Sequence, residues 1–141
     1  MLASPAAVAA LRLVVCCAVV FASDGLFVGA IMRDSYVAMV ERVQREPLRL
    51  RAGPAALASF AVALGVFLVA LADGAPWRAE DQLRAAAFGA CAFAIYNATN
   101  LAVFTQWSRR NAAIDTAYGT ALCAGAYALA SLITRREERH E

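Results

Sequence analysis

Four long apolar runs, each closed by charged residues, set the rhythm of the chain. They cover residues 6–32, 54–72, 83–104 and 112–134. Each is close to the ~17–25 residues that a helix needs to cross a hydrocarbon core. Only a helix satisfies its own backbone in lipid without help from elsewhere in the chain, and the alternation of a β-barrel strand is absent. The pattern predicts an all-α fold: a four-helix transmembrane bundle. Within the first run, "LVVCCAVVFAS" also resembles a signal-peptide core, with Val20 and Ala22 set for cleavage. No basic residue precedes Arg12, and the apolar run continues past that point through "GLFVGAIM", so an uncleaved helix is the better reading.

The segments between the runs have patterns of their own. In "RDSYVAMVERVQREPLRLRAGP", Val37, Val40 and Val43 recur at helical spacing, and Glu41–Arg45 and Arg42–Glu46 are opposite charges four residues apart. Pro47 disfavours helix at the residue before it. A short amphipathic helix lying on the bilayer surface is expected here. Trp77 in "DGAPWRAED" and Trp107 in "TQWSRRN" fit interfacial anchors. With four spans, six arginines fall on one side of the membrane and seven on the other, so the positive-inside rule gives no orientation.

Composition narrows the class. The 141 residues suggest a single integral membrane domain, residues 1–141, and they are 62% hydrophobic with a mean hydropathy of +0.58. A net charge of +2 speaks against a nucleic-acid partner. Cys16, Cys17, Cys91 and Cys123 sit in apolar runs with no CxxC pair, and the single histidine is His140. The cysteines read as packing residues, and no metal or other cofactor is expected.

Polar residues inside the runs are the candidate chemistry. On a rise of about 1.5 Å per residue, Asp24 and Asn100 each lie ~13 Å from the arginine that follows them, and Asp115 lies ~7 Å beyond Arg110. All three are measured from the same membrane face. On the third run Phe93, Tyr96, Asn97, Asn100 and Phe104 share a face, and Ala86, Ala90, Ala94, Ala98 and Ala102 form a ladder opposite. Small residues at that spacing let helices approach closely, so the third helix is expected to be central, with Ala94 and Ala98 intolerant of larger side chains. On the fourth run Asp115, Tyr118, Gly119 and Leu122 share a face. An ionised carboxylate at depth is costly unless paired, and no basic residue is at comparable depth. The candidate ligand-binding residues are therefore Asp24, Tyr96, Asn97, Asn100, Asp115 and Tyr118.

The stretch "Y-N-A-T-N-L-A", then Trp107, then "D-T-A-Y-G", resembles a bacterial family of predicted four-helix membrane proteins of unknown function. The family pattern is Y-D-x-T-N-L-A, a tryptophan, and D-x-x-W-G, with D-x-x-W-x-G in the first helix. It falls here on Tyr96, Thr99, Asn100, Leu101, Ala102, Trp107, Asp115 and Gly119, and on Asp24, Phe27 and Gly29. The chain departs at Asn97, where the family has an acid, and at Phe27 and Tyr118, where it has tryptophans. The resemblance implies an integral membrane protein and marks the same polar face, without assigning a reaction.

Three function classes compete. The polar cluster binds a proton, a cation, a small solute or a lipid headgroup; or the chain is a structural subunit whose partners, beyond the lipid bilayer, are other membrane subunits or copies of itself. A lipid-modifying enzyme is the weakest reading. There is no membrane histidine, no glycine-rich phosphate loop and no identifiable nucleophile, so no catalytic residue is assigned.

Overall fold

The computed structural model describes residues 4–139, with side chains through residue 133. Among these residues the protein is all-α. Helix α1 (Pro5–Leu26) starts where the Ser4 hydroxyl accepts from the Ala7 N–H and Pro5 occupies the first turn, where its missing N–H costs nothing. It runs on through a π-helical turn, Phe27–Ile31. Helix α2 is Arg33–Gln44. Helix α3 (Ala52–Val66) likewise continues in a π-helical turn, Phe67–Leu71, before Gly74 reverses the chain at φ +70°. Helices α4 (Ala79–Val103) and α5 (Arg109–Arg139) complete the chain. Four segments are long and apolar enough to cross a membrane: Pro5–Ile31, Ala52–Leu71, Ala79–Val103 and Arg109–Ile133.

The core is built mostly from small side chains. Cys16 and Val20 of α1, Ala63 and Val66 of α3, Ala85 of α4, and Cys123, Ala126 and Ala130 of α5 are fully enclosed. Cys16 donates its S–H to the Ala63 carbonyl across 3.6 Å. Cys16 and Cys123 thus behave as packing residues, whereas Cys91 faces outward. The expected centrality of the third span is corrected. Helix α5 is the hub, packing against α1, α3 and α4, and 39% of its apolar window is buried against 11% for α4.

The alanine ladder is corrected too. Ala94, Ala98 and Ala102 are exposed, and α4 packs through Asp81, Ala85, Gly89 and Asn97 instead. The close approach is made by glycines. A Cβ on Gly89 would collide with the Gly119 carbonyl and touch Cys123, and one on Gly119 would enter the Phe93 ring. A run of alanines only permits contact; glycine allows the two backbones to meet.

The first loop holds the expected helix, with Val37, Val40 and Val43 half-buried. Its anticipated charge pairs do not form. The helix stops at Gln44 and Arg45 turns left-handed at φ 58°, which takes Arg45 and Glu46 out of helical register. Arg42 donates to the Ala38 carbonyl instead.

These contacts set a test. Gly89→Val should lower stability in detergent by about 1–3 kcal/mol through overpacking. Ala94→Leu and Ala98→Leu should stay near the parent. Thermal unfolding of the three variants decides it, and similar losses at all three sites would contradict the glycine crossing.

Candidate functional site

The α4–α5 crossing sets what meets above it. Gly89 lies against Cys123, Phe93 against Gly119 and Asn97 against Asp115, each pair one helical turn beyond the last. At the third step two polar side chains face each other in an apolar bundle. Asn97 Nδ2 donates to Asp115 Oδ2 at 2.7 Å and to its own helix at the Phe93 carbonyl. Asp115 Oδ1 accepts from the Tyr36 hydroxyl of α2, also at 2.7 Å. The Trp107 indole N–H reaches Asn97 Oδ1 at 3.3 Å. Asp115 and Asn97 are both buried.

Asp24 forms a second node nearby. Its Oδ1 accepts from the Tyr118 hydroxyl at 3.0 Å and its Oδ2 from the Ser59 hydroxyl of α3 at 2.7 Å. Tyr118 stands one turn after Asp115 on α5, and its ring stacks flat on Phe27, centroids 3.7 Å apart and planes within 1°. Phe93 closes the other side edge-on. The stack occupies the first π-turn, so Phe27 stays on the inner face with Asp24 and Val20. Neither carboxylate has an ion-pair partner among the described residues; hydroxyls and an amide supply every hydrogen bond the two accept.

Four of the six candidates, Asp24, Asn97, Asp115 and Tyr118, thus lie in these two nodes. Tyr96 and Asn100 lie at the rim. Tyr96 is 55% exposed and rests edge-on against Trp107. Asn100 is in the last turn of α4, not deep in the span, because the helix stops at Val103 with Phe104 extended. Its side chain sits beside the Tyr96 hydroxyl, with Nδ2 shielded from solvent and without a hydrogen bond of good geometry. The residue level with Asp115 is Asn97.

Several partners escaped the sequence reading. Ser59 is the only hydroxyl-bearing side chain in its apolar run, which was a usable signal. Tyr36 and Ser35 sit on the loop helix. Ser35 donates to Asn111 Oδ1 at 2.8 Å, and Asn111 Nδ2 returns a bond to the Ser35 carbonyl. Met39, almost fully buried, accepts from the Ser108 N–H through its sulfur. Helix α2 is thus latched over the start of α5. Burial, followed by the hydrogen bond to Asp115 and its charge, pushes the Tyr36 phenol well above its ordinary range.

The opposite end of the bundle is charged, and its pairing is not visible in the spacing of charges along the chain. Asp81 is buried at the start of α4 and is shared by Arg78 and Arg84. Arg78 also pairs with Asp73, whose carboxyl is held below its usual range by the Ala75 N–H and by Arg78. Tyr127 clamps the Arg78 backbone, accepting from its N–H and donating to its carbonyl. Arg12, enclosed within α1, donates to the Leu71 carbonyl at the end of the second π-turn. It is a membrane-depth arginine, but it lies twelve residues from Asp24 along α1, about 18 Å away at helical rise.

The family described as "Predicted membrane protein (DUF2177)" matches residues 9–133, and the chain belongs to that family. No curated protein and no solved structure matches.

The Tyr36 latch has a pH signature. Its phenol ionises less readily folded than unfolded, so its contribution is complete below about pH 10, the free-tyrosine value. It is lost as pH rises through the higher folded value. Tyr36→Phe should weaken α2 docking by about 0.5–1.5 kcal/mol. Hydrogen exchange of the α2 amides should quicken in that variant, and in the parent only above pH 10. Unchanged exchange in Tyr36→Phe would show that the bond does not hold the helix.

Proposed function

We propose that this integral membrane protein binds a proton or a small cation at Asp24 and Asp115. One observation carries the reading. Two carboxylates sit near one end of a membrane bundle, each wrapped by neutral donors and neither ion-paired among the described residues. Neutral donors stabilise an anion but leave its charge in place, and in an apolar surround that charge draws a counter-ion or a proton. A bundle needing only a polar staple is served by an amide or hydroxyl pair, at about 0.6 kcal/mol per bond.

In this reading Asp115 and Asp24 bind, and Tyr36, Asn97, Ser59 and Tyr118 orient them. Phe27 and Phe93 keep the inner side dry. Tyr96 and Asn100 line the rim. The competing reading is a structural subunit in which the same bonds only fix helix register.

Asp24→Asn and Asp115→Asn separate the two readings. An amide retains one acceptor oxygen, so each variant should fold and lose about 0.5–1.5 kcal/mol. Proton release and uptake in detergent, with calorimetry of sodium and potassium binding, should show one fewer bound proton or cation in each variant. Parent and variants that take up equal amounts would defeat the binding reading and leave the structural one.

A further inference from the structure

At the charged end of the bundle a half-open cleft of about 230 Å³ lies between the π-turn after α3 and the start of α4. Its lining is apolar along Leu68, Val69, Ala70 and Ala72 and polar at Asp73, Asp81 and Arg84. At about 30 Å³ per water it has room for roughly eight waters, enough for a small polar headgroup and too little for an acyl chain. Leu68 is 62% exposed and faces outward from the second span, where lipid would lie. The pocket therefore borders both the apolar layer and the polar edge of the molecule.

Its polar groups are of both signs, and the buried Asp81 anchors the arginines. Asp81 is 2% exposed, with one oxygen on Arg78 and the other on Arg84. Among the described residues Arg84 makes a single hydrogen bond, through Nη1, and its side chain is 62% exposed. Most of its guanidinium donors are therefore open to an incoming acceptor. Asp73 accepts one bond on each oxygen and keeps further lone pairs on a half-exposed side chain. A cation and an anion, each held by an ion pair beside one small cleft, complement a ligand that carries an anion and a hydrogen-bonding cation a few ångströms apart.

We propose that this pocket binds the headgroup of a phospholipid carrying a primary ammonium, with its phosphodiester on Arg84, its ammonium on Asp73 and its acyl chains along Leu68 and Val69. An anionic headgroup without a cation would leave Asp73 facing a phosphate. A quaternary ammonium has no N–H to give Asp73. The site lies at the opposite end of the bundle from Asp24 and Asp115 and stands or falls without them.

Native mass spectrometry of the whole chain in detergent tests this with four probes: phosphatidylethanolamine, phosphatidylcholine, phosphatidylglycerol and soluble phosphoethanolamine. About tenfold tighter binding of phosphatidylethanolamine than of the other two lipids is expected, the ratio that one charge-assisted hydrogen bond supplies. Arg84→Gln and Asp73→Asn should each remove most of that preference, and Arg110→Gln, at the far end, should leave it intact. Arg84→Gln keeps the Arg78–Asp81 pair; should it nevertheless fail to fold, the lipid ranking of the parent protein decides alone. Equal retention of the three lipids, or an undiminished preference in Arg84→Gln, would overturn the proposal. Phosphoethanolamine binding as tightly as the lipid would assign the pocket to a soluble phosphate ester and overturn the lipid assignment.

Discussion

The antiparallel register of α4 on α5 is the constraint on which the rest depends. Two glycines bring the backbones together at Gly89 and Gly119. From there the faces step in phase, ring against glycine and then amide against carboxylate. A shift by one residue on either helix would rotate Asn97 away from Asp115 by about 100° and leave both without their mutual bond. Losing a donor to a buried carboxylate oxygen disfavours that shift, so packing and polarity specify the same arrangement. Tyr118, placed by the same helix, carries the register on to Asp24 of α1 and, through it, to Ser59 of α3.

The two ends of the bundle handle charge differently. At one end arginines and aspartates pair directly, with Asp81 as the buried centre. At the other, acids are wrapped in hydroxyls and an amide while α2 folds over them. At the first end each charge faces an opposite one, and what is left over is unused donors on Arg84 and acceptor lone pairs on Asp73. At the second, among the described residues, neutral hydroxyls and an amide take the place of arginines.

What the sequence made legible follows the strength of each physical signal. Hydrophobic length identified all four spans, and valine spacing found α2. Depth counted in residues put Asp24 and Asp115 near the same face, which the shared Tyr118 neighbourhood matches. The same counting misplaced Asn100, because it let the third helix run to the arginines. The chain leaves the helix at Phe104, and Ser108, accepting from the Asn111 N–H, starts the next one. The serine was a readable cap. The alanine ladder misled because small residues are equally comfortable against lipid, and only the backbone approach at Gly89 and Gly119 distinguishes the packed face. Arg12 and Asp81 were hidden because burial of a charge is a property of tertiary partners, here Leu71 on one side and Arg78 and Arg84 on the other.

The contact between Arg12 and the Leu71 carbonyl links residues 59 positions apart in the chain. Synthesis at about 5–20 residues per second leaves an interval of several seconds between them. During that interval the first segment holds a guanidinium without this partner and an aspartate whose hydroxyl donors, Ser59 and Tyr118, are still to come. The bonds from Arg12 to the Leu71 carbonyl and from Ser59 to Asp24 can form only once the first two spans are both present. The fourth span, which brings Tyr118, then completes the coordination of Asp24. The polar contacts of the first span are thus completed in chain order, by the second span and then by the fourth.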